Sequence, residues 1–362
     1  MNLFRLGPIA LCLILTACQP GNDAKSTMDD VQSEAAAPSA TGAAAIDVAT
    51  FRQRVKTLSS DEFEGREPFT EGEAKTIKLI SDGFRSAGAI PGNNGEWYQE
   101  VPLVEITPTA AEMSIVDGPS LQIGENAVIW TKQVTDQVEI NNSEVVFVGY
   151  GIVAPEYDWN DYAGMDVEGK TVVMLVNDPG YATKDDALFN GNAMTYYGRW
   201  TYKYEEAARQ GAAAALIIHE TGPAGYPFQV VSNGWNGPRF DLVTADKNAS
   251  RAKIEGWINS TLAKELLAKS GMTLKDAHQA ALQSDFRPVP MSLTANGRIR
   301  NSIRESVSYN VLGLVPGTDL ADEYIVYMAH WDHLGRDPSL EGDQIFNGAV
   351  DNATGTAALV EL

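Results

Sequence analysis

Two stretches near the end of this chain constrain it most: Tyr324-Ile-Val-Tyr-Met-Ala-His330-Trp-Asp332-His333, then Asn347-Gly-Ala-Val-Asp351-Asn-Ala-Thr-Gly355. The first opens with an apolar run of strand length, which predicts a strand that carries an imidazole and a carboxylate to its C-terminal end. A second carboxylate follows just before the helix predicted over Thr354-Gly-Thr-Ala-Ala-Leu-Val-Glu361. Strand end followed by helix start is an α/β pattern.

Those side chains have the chemistry of part of a metal site. A hydrolytic zinc site needs neutral imidazoles and carboxylates as ligands, an open position for water, and outer carboxylates that fix the tautomer of each ligating histidine. His330 fits a ligand. Asp332 lies on the same side if the strand continues, where its carboxylate can orient the ring. Asp351 fits a carboxylate that bridges two metals, set before a helix whose free N–H groups favour anions. An H-x-D tripeptide alone is weak, because it arises by chance and a histidine ending a strand is commonly just hydrogen-bonded; the D-N-A-T-G downstream strengthens it. His333 fits either a substrate contact or a structural place, and the structural reading is preferred. His219, after the apolar run 212–218, and His278, in a helix-like segment, read as structural or solvent-facing.

Ala329-His-Trp-Asp-His-Leu-Gly335 and Gly348-Ala-Val-Asp-Asn-Ala-Thr-Gly355 resemble the first two metal-site motifs of the M28 family of dizinc peptidases, which includes bacterial aminopeptidases. The resemblance implies that His330 binds one zinc, that Asp332 is the catalytic aspartate supporting it, and that Asp351 bridges both zinc ions. Val350 stands where many members have aspartate, next to the ligand position rather than on it. The family's Glu-Glu pair and its later Asp and His ligands are expected downstream of Leu362, so the 362-residue chain is expected to be incomplete and inactive alone. Leu58-Ser-Ser-Asp-Glu-Phe-Glu-Gly-Arg66 resembles an opening signature of secreted members. Its charges, Glu62, Glu64 and Arg66, read as solvated loop groups without a catalytic role.

The N-terminus predicts a compartment. Arg5, the apolar stretch Ile9–Leu15 and the lipobox form of Leu15-Thr-Ala-Cys18 predict a lipoprotein signal peptide over 1–17, with Cys18 lipidated. The alternative is an ordinary secretory signal in which Cys18 falls by chance. Gln19 favours sorting to the outer membrane of a bacterial envelope. The two cysteines are Cys12, lost with the signal, and Cys18, so no disulfide is expected and an ordinary core must stabilise the fold. A 44% hydrophobic composition supplies that core. Net charge is −21, becoming −22 once Arg5 is removed, which argues against nucleic acid and anionic lipid as partners and leaves the lipid anchor as the membrane contact.

Residues 18–45, rich in Ala, Ser, Thr, Gly and Pro, read as a flexible tether. Asp47 is a plausible N-cap for a helix with Val48, Phe51, Val55 and Leu58 on one face, and a second amphipathic helix carries Ile77, Ile80 and Phe84 and ends at Gly88. Strand-like runs at 144–152, 170–177 and 212–218, with a helix at 205–210, resemble the protease-associated domain, a small α/β module inserted in many M28 enzymes. The glycines of Val148–Ile152 form no nucleotide loop, lacking both the full G-x-G-x-x-G and a Walker lysine. The aromatic loop around Tyr196–Tyr204 reads as packing in preference to a substrate rim. The expected organisation is a zinc-exopeptidase-type mixed α/β sheet flanked by helices, in two parts (46–104 and 303–362), with 105–302 inserted between them. The implied function is that of a zinc-dependent exopeptidase, foremost an aminopeptidase, acting on peptides outside the cytoplasm with two zinc ions. The alternative is a noncatalytic lipoprotein that binds peptides or proteins.

Overall fold

The computed structural model describes residues 46–233 and 237–362, so the expected signal peptide, Cys18 and the tether lie outside the described residues. Residues Asp47–Leu362 form one compact unit. It opens with α1 (Val48–Leu58), capped by the Asp47 carboxylate on Ala49 N at 2.9 Å, and α2 (Glu71–Ser86), capped by Thr70. Gly88, at φ +88°, lets the chain leave α2 in a conformation costly to a residue with a side chain.

The sheet follows: β1 (Tyr98–Val116), β2 (Ala127–Trp130), β3 (Gln137–Phe147), β4 (Thr171–Leu175), α3 (Trp200–Arg209), β5 (Ala214–His219), β6 (Arg239–Leu242), β7 (Ile254–Asn259), α4 (Ser260–Lys269), α5 (Leu274–Ala281) and β8 (Val289–Val311). The strands stand in the order β2-β7-β5-β4-β3-β8-β1-β6. β3, β4, β5 and β7 run parallel and the outer pairings are antiparallel, so the architecture is mixed α/β. The central strands β4 and β5 are buried along their whole length, as expected of strands covered on both faces. Their period of two divides them between cores: Val173 and Leu175 pack with Leu262, Leu266 and Ala277 of α4 and α5, whereas Val172 and Met174 pack with Tyr204 and Ala207 of α3.

β1 and β8 pair along nearly their full lengths, and the boundaries expected at 104/105 and 302/303 fall inside these strands, where Val104 pairs with Glu305 and Ile106 with Ile303. The aromatic segment expected as a loop is partly helical, since Trp200, Tyr202 and Tyr204 lie in α3; Tyr202 and Tyr204 are buried and Tyr197 meets Phe189 edge-on, whereas Tyr196 and Trp200 are exposed.

One expectation fails. Tyr324–Ala329 does not form a strand; no described strand pairs with it, and Ile325 and Met328 are each 84% exposed. An apolar, β-branched run supplies propensity only, and the ladder bonds that make a strand must come from a neighbour. The chain regains fixed partners at Trp331, whose Nε1 donates to Tyr309 O at 3.0 Å. It ends in α6 (Thr354–Glu361), joined to α1 by Arg54 Nε and Glu361 Oε1 at 2.7 Å. Beneath α6, Ala353 is packed with Leu58 of α1 and with Phe63 from the turn after it, so α1 and that turn seat the segment that carries Asp351.

Candidate active site

The site is built on the short turn Asp61–Arg66. Glu64, Gly65 and Arg66 have left-handed backbones with φ of 49°, 70° and 53°. Gly65 is required twice over: besides its φ, a Cβ there would stand 2.3 Å from Gly335 O. The close approach lets Gly65 O accept from Gly335 N at 3.1 Å and Arg66 O accept from His333 N at 3.2 Å. The same turn sends the Arg66 side chain inward.

Arg66 is fully buried, which corrects its reading as a solvated loop charge. Its Nε donates to Trp331 O at 2.9 Å, Nη1 to Leu58 O at 2.5 Å and Asn347 O at 2.7 Å, and Nη2 to Gly348 O at 2.8 Å. Burial pulls the guanidinium pKa down, and the nearby carboxylates of Asp332 and Asp351 oppose that pull. Nothing in its sequence context marks this role beyond an arginine following a glycine, because every partner is a main-chain carbonyl.

His330, Asp332 and Asp351 are brought together. His330 Nε2 lies 3.1 Å from Asp351 Oδ1, while its Nδ1 faces Asp332 twice, the main-chain oxygen at 3.1 Å and Oδ1 at 3.3 Å. Each ring nitrogen thus has an acceptor in reach, and with the proton on Nδ1 the Nε2 lone pair would face Asp351 across the place a cation would occupy. The start of α6 fixes this geometry, since Asn352 Nδ2 and Thr356 Oγ1 both donate to His330 O, at 3.2 and 3.0 Å. The three side chains remain about half exposed or more.

His333 is mostly buried. Its Nδ1 stands 4.0 Å from Asp351 Oδ2, too far for a hydrogen bond, and its ring packs where a Cβ on Gly348 would come within 2.5 Å of Cδ2. Burial lowers its pKa, with Asp351 opposing and the Arg66 charge adding to the shift. His219 is buried among Tyr226, Phe228 and Trp257, and His278 Nε2 meets Glu220 at 2.7 Å; neither joins a metal-ligand cluster among the described residues.

The donor pair suits zinc in kind: an imidazole nitrogen and a carboxylate oxygen converge with an orienting carboxylate behind them. In number the set is partial. Among the described residues no group of three or more His, Cys, Asp and Glu is gathered as for a metal, whereas a catalytic zinc takes three protein ligands.

Residues 310–362, which include both motifs, match the profile of peptidase family M28. No curated protein matches the sequence. Among solved structures, the chain is similar to an aminopeptidase from Aneurinibacillus sp. strain AM-1, with 19% identity, a TM-score of 0.43, and coverage of 88% of this chain and 58% of that one. It is also similar to BSAP, a zinc aminopeptidase from Bacillus subtilis, with 15% identity, a TM-score of 0.36, and coverage of 86% and 56%. The chain thus spans less than two thirds of the length of either structure.

Proposed function

We propose that this chain belongs to a zinc-dependent exopeptidase, foremost an aminopeptidase, in which His330 and Asp351 are metal ligands and Asp332 orients His330. The observation that supports it most is the convergence of His330 Nε2 and Asp351 Oδ1 at 3.1 Å, with Asp332 behind Nδ1, inside the segment matching the M28 profile. Zinc held there would supply Lewis acidity for hydrolysis of a peptide bond. The chain's own residues do the preparation. Asp332 keeps the Nδ1 proton in place, so that His330 presents a neutral donor nitrogen; Asp351 supplies negative charge beside it. The half-exposed rims of these groups leave room for a peptide to approach.

In this reading the centre is dinuclear, its ligand set is completed by residues of a longer protein, residues 105–302 include an inserted protease-associated domain, and Cys18 anchors the molecule to the bacterial envelope. Peptides are its substrates. The test is zinc content and turnover of an aminoacyl-arylamide by the full-length protein and its His330→Ala variant: both should fall together. Equal zinc content in the two proteins would refute the assignment. A second reading, a peptide-binding lipoprotein without catalysis, draws support from the partial donor set and would be favoured by stoichiometric peptide binding with no turnover.

A further inference from the structure

The hydrogen bonds of Arg66 end on carbonyls at four places: Leu58 at the close of α1, Trp331 next to His330, and Asn347 and Gly348 on the approach to Asp351. Arg251, by contrast, gives its guanidinium to a carboxylate, Glu255, at 2.7 Å. Bonding to carbonyls leaves Asp332 and Asp351 near a positive charge without tying up their oxygens. The traffic runs both ways, because the carbonyls of Gly65 and Arg66 accept from Gly335 and His333 in the His330 loop. A planar fork can span three separate segments in this way; the point charge of a lysine cannot.

We infer that Arg66 is a positioning residue that holds the His330 loop and the Asp351 loop in register before any cation arrives. The donors are then gathered by the protein, and a metal ion need not order them. The metal half of this inference rests on the ligand assignment proposed above; the register of the two loops does not.

Hydrogen exchange read by mass spectrometry on the 362-residue protein separates the two. Arg66→Gly suits the backbone, since φ at this position is +53°. Without zinc, the amides of His333, Gly335, Phe346 and Ala353, all hydrogen-bonded around this junction, should exchange at least about tenfold faster in Arg66→Gly than in wild type, with β4 and β5 unchanged. Guanidinium ion at non-denaturing concentration should restore protection in Arg66→Gly, and sodium chloride at equal ionic strength should not. Arg66→Lys, which keeps the charge and loses the fork, should show the same local loss to a smaller degree. Wild-type protection of these amides in Arg66→Gly overturns the inference, as does a rise spread over β4 and β5 in both variants. With zinc added, the two loops should gain protection in wild type and not in Arg66→Gly or His330→Ala. A wild type that gains none, together with the local loss in zinc-free Arg66→Gly, would sink the ligand assignment and leave the positioning role supported.

Discussion

His330 is held at its ring by Asp332 and at its carbonyl by Asn352 beside Asp351 and Thr356 of α6, so a change at each contact should cost in proportion to what it removes. If His330 is a zinc ligand as proposed, His330→Ala in the full-length protein removes a donor outright and should abolish tight zinc binding. Asp332→Asn keeps an oxygen behind Nδ1 and loses the charge, so affinity or activity should fall by roughly 10- to 100-fold. Competition against a chromophoric chelator ranks them, and an Asp332→Asn defect as deep as that of His330→Ala would move Asp332 into direct ligation. Gly65 can be tested against Gly88, where φ is +88° but a Cβ would meet nothing within 4 Å. Gly88→Ala should lose only the conformational term, roughly 1–2 kcal/mol. Gly65→Ala should lose more, because the atom it would strike is the backbone of Gly335. Equal loss of denaturant midpoint in both would show that the close approach carries no weight.

Among the elements, those whose determinants are local were legible in the sequence. Asp47 caps α1 as expected, and the helix-like segment around His278 is α5. Arg66 was not legible, because three of its acceptors lie 265, 281 and 282 residues away and a carbonyl leaves no mark in a sequence. The run Tyr324–Ala329 misled for the related reason that strand pairing is decided by a distant partner. His330, Asp332 and Asp351 were legible as candidates because their residue types and spacing carry metal-site chemistry on their face, and the fold brings the three together. Just after the turn of Arg66 stands Glu67, whose Oε2 lies where a Cβ on Gly335 would come within 2.4 Å. Burial, followed by Glu105, raises its pKa to about 7, against a lowering by Arg304. Folding thus takes up a proton between the ordinary value of 4.5 and about 7, so this contribution to stability is complete below pH 4.5 and is lost as pH rises to 7. Glu67→Gln removes the titration. The stability of wild type relative to Glu67→Gln should fall across that window and level off above it; urea midpoints that differ by a constant amount from pH 4 to 8 would exclude the effect.

For the molecule as a whole, attachment and metal affinity can be tested separately. If Cys18 is lipidated, Cys18→Ser should end incorporation of labelled fatty acid and leave the precursor uncut, and labelling that persists in the variant would remove the anchor from the proposal. Metal affinity follows from counting donors. Complete four-ligand zinc sites in small peptides have apparent binding free energies of about 10–16 kcal/mol, and on the proposed assignment His330 with Asp351 supplies half as many protein donors. Half of that free energy is roughly 5–8 kcal/mol, a Kd of about 1 μM to 0.2 mM. Preorganisation by Arg66 favours the tighter end, while the exposure of Asp351, at 70% of its side chain, lets water compete and favours the weaker. Titration calorimetry of zinc into the 362-residue chain should therefore give micromolar or weaker binding that disappears in His330→Ala, with no turnover of an aminoacyl-arylamide. Nanomolar binding, or turnover that a chelator abolishes, would mean that more donors converge on zinc than His330 and Asp351, and the map of the site would have to be redrawn around them.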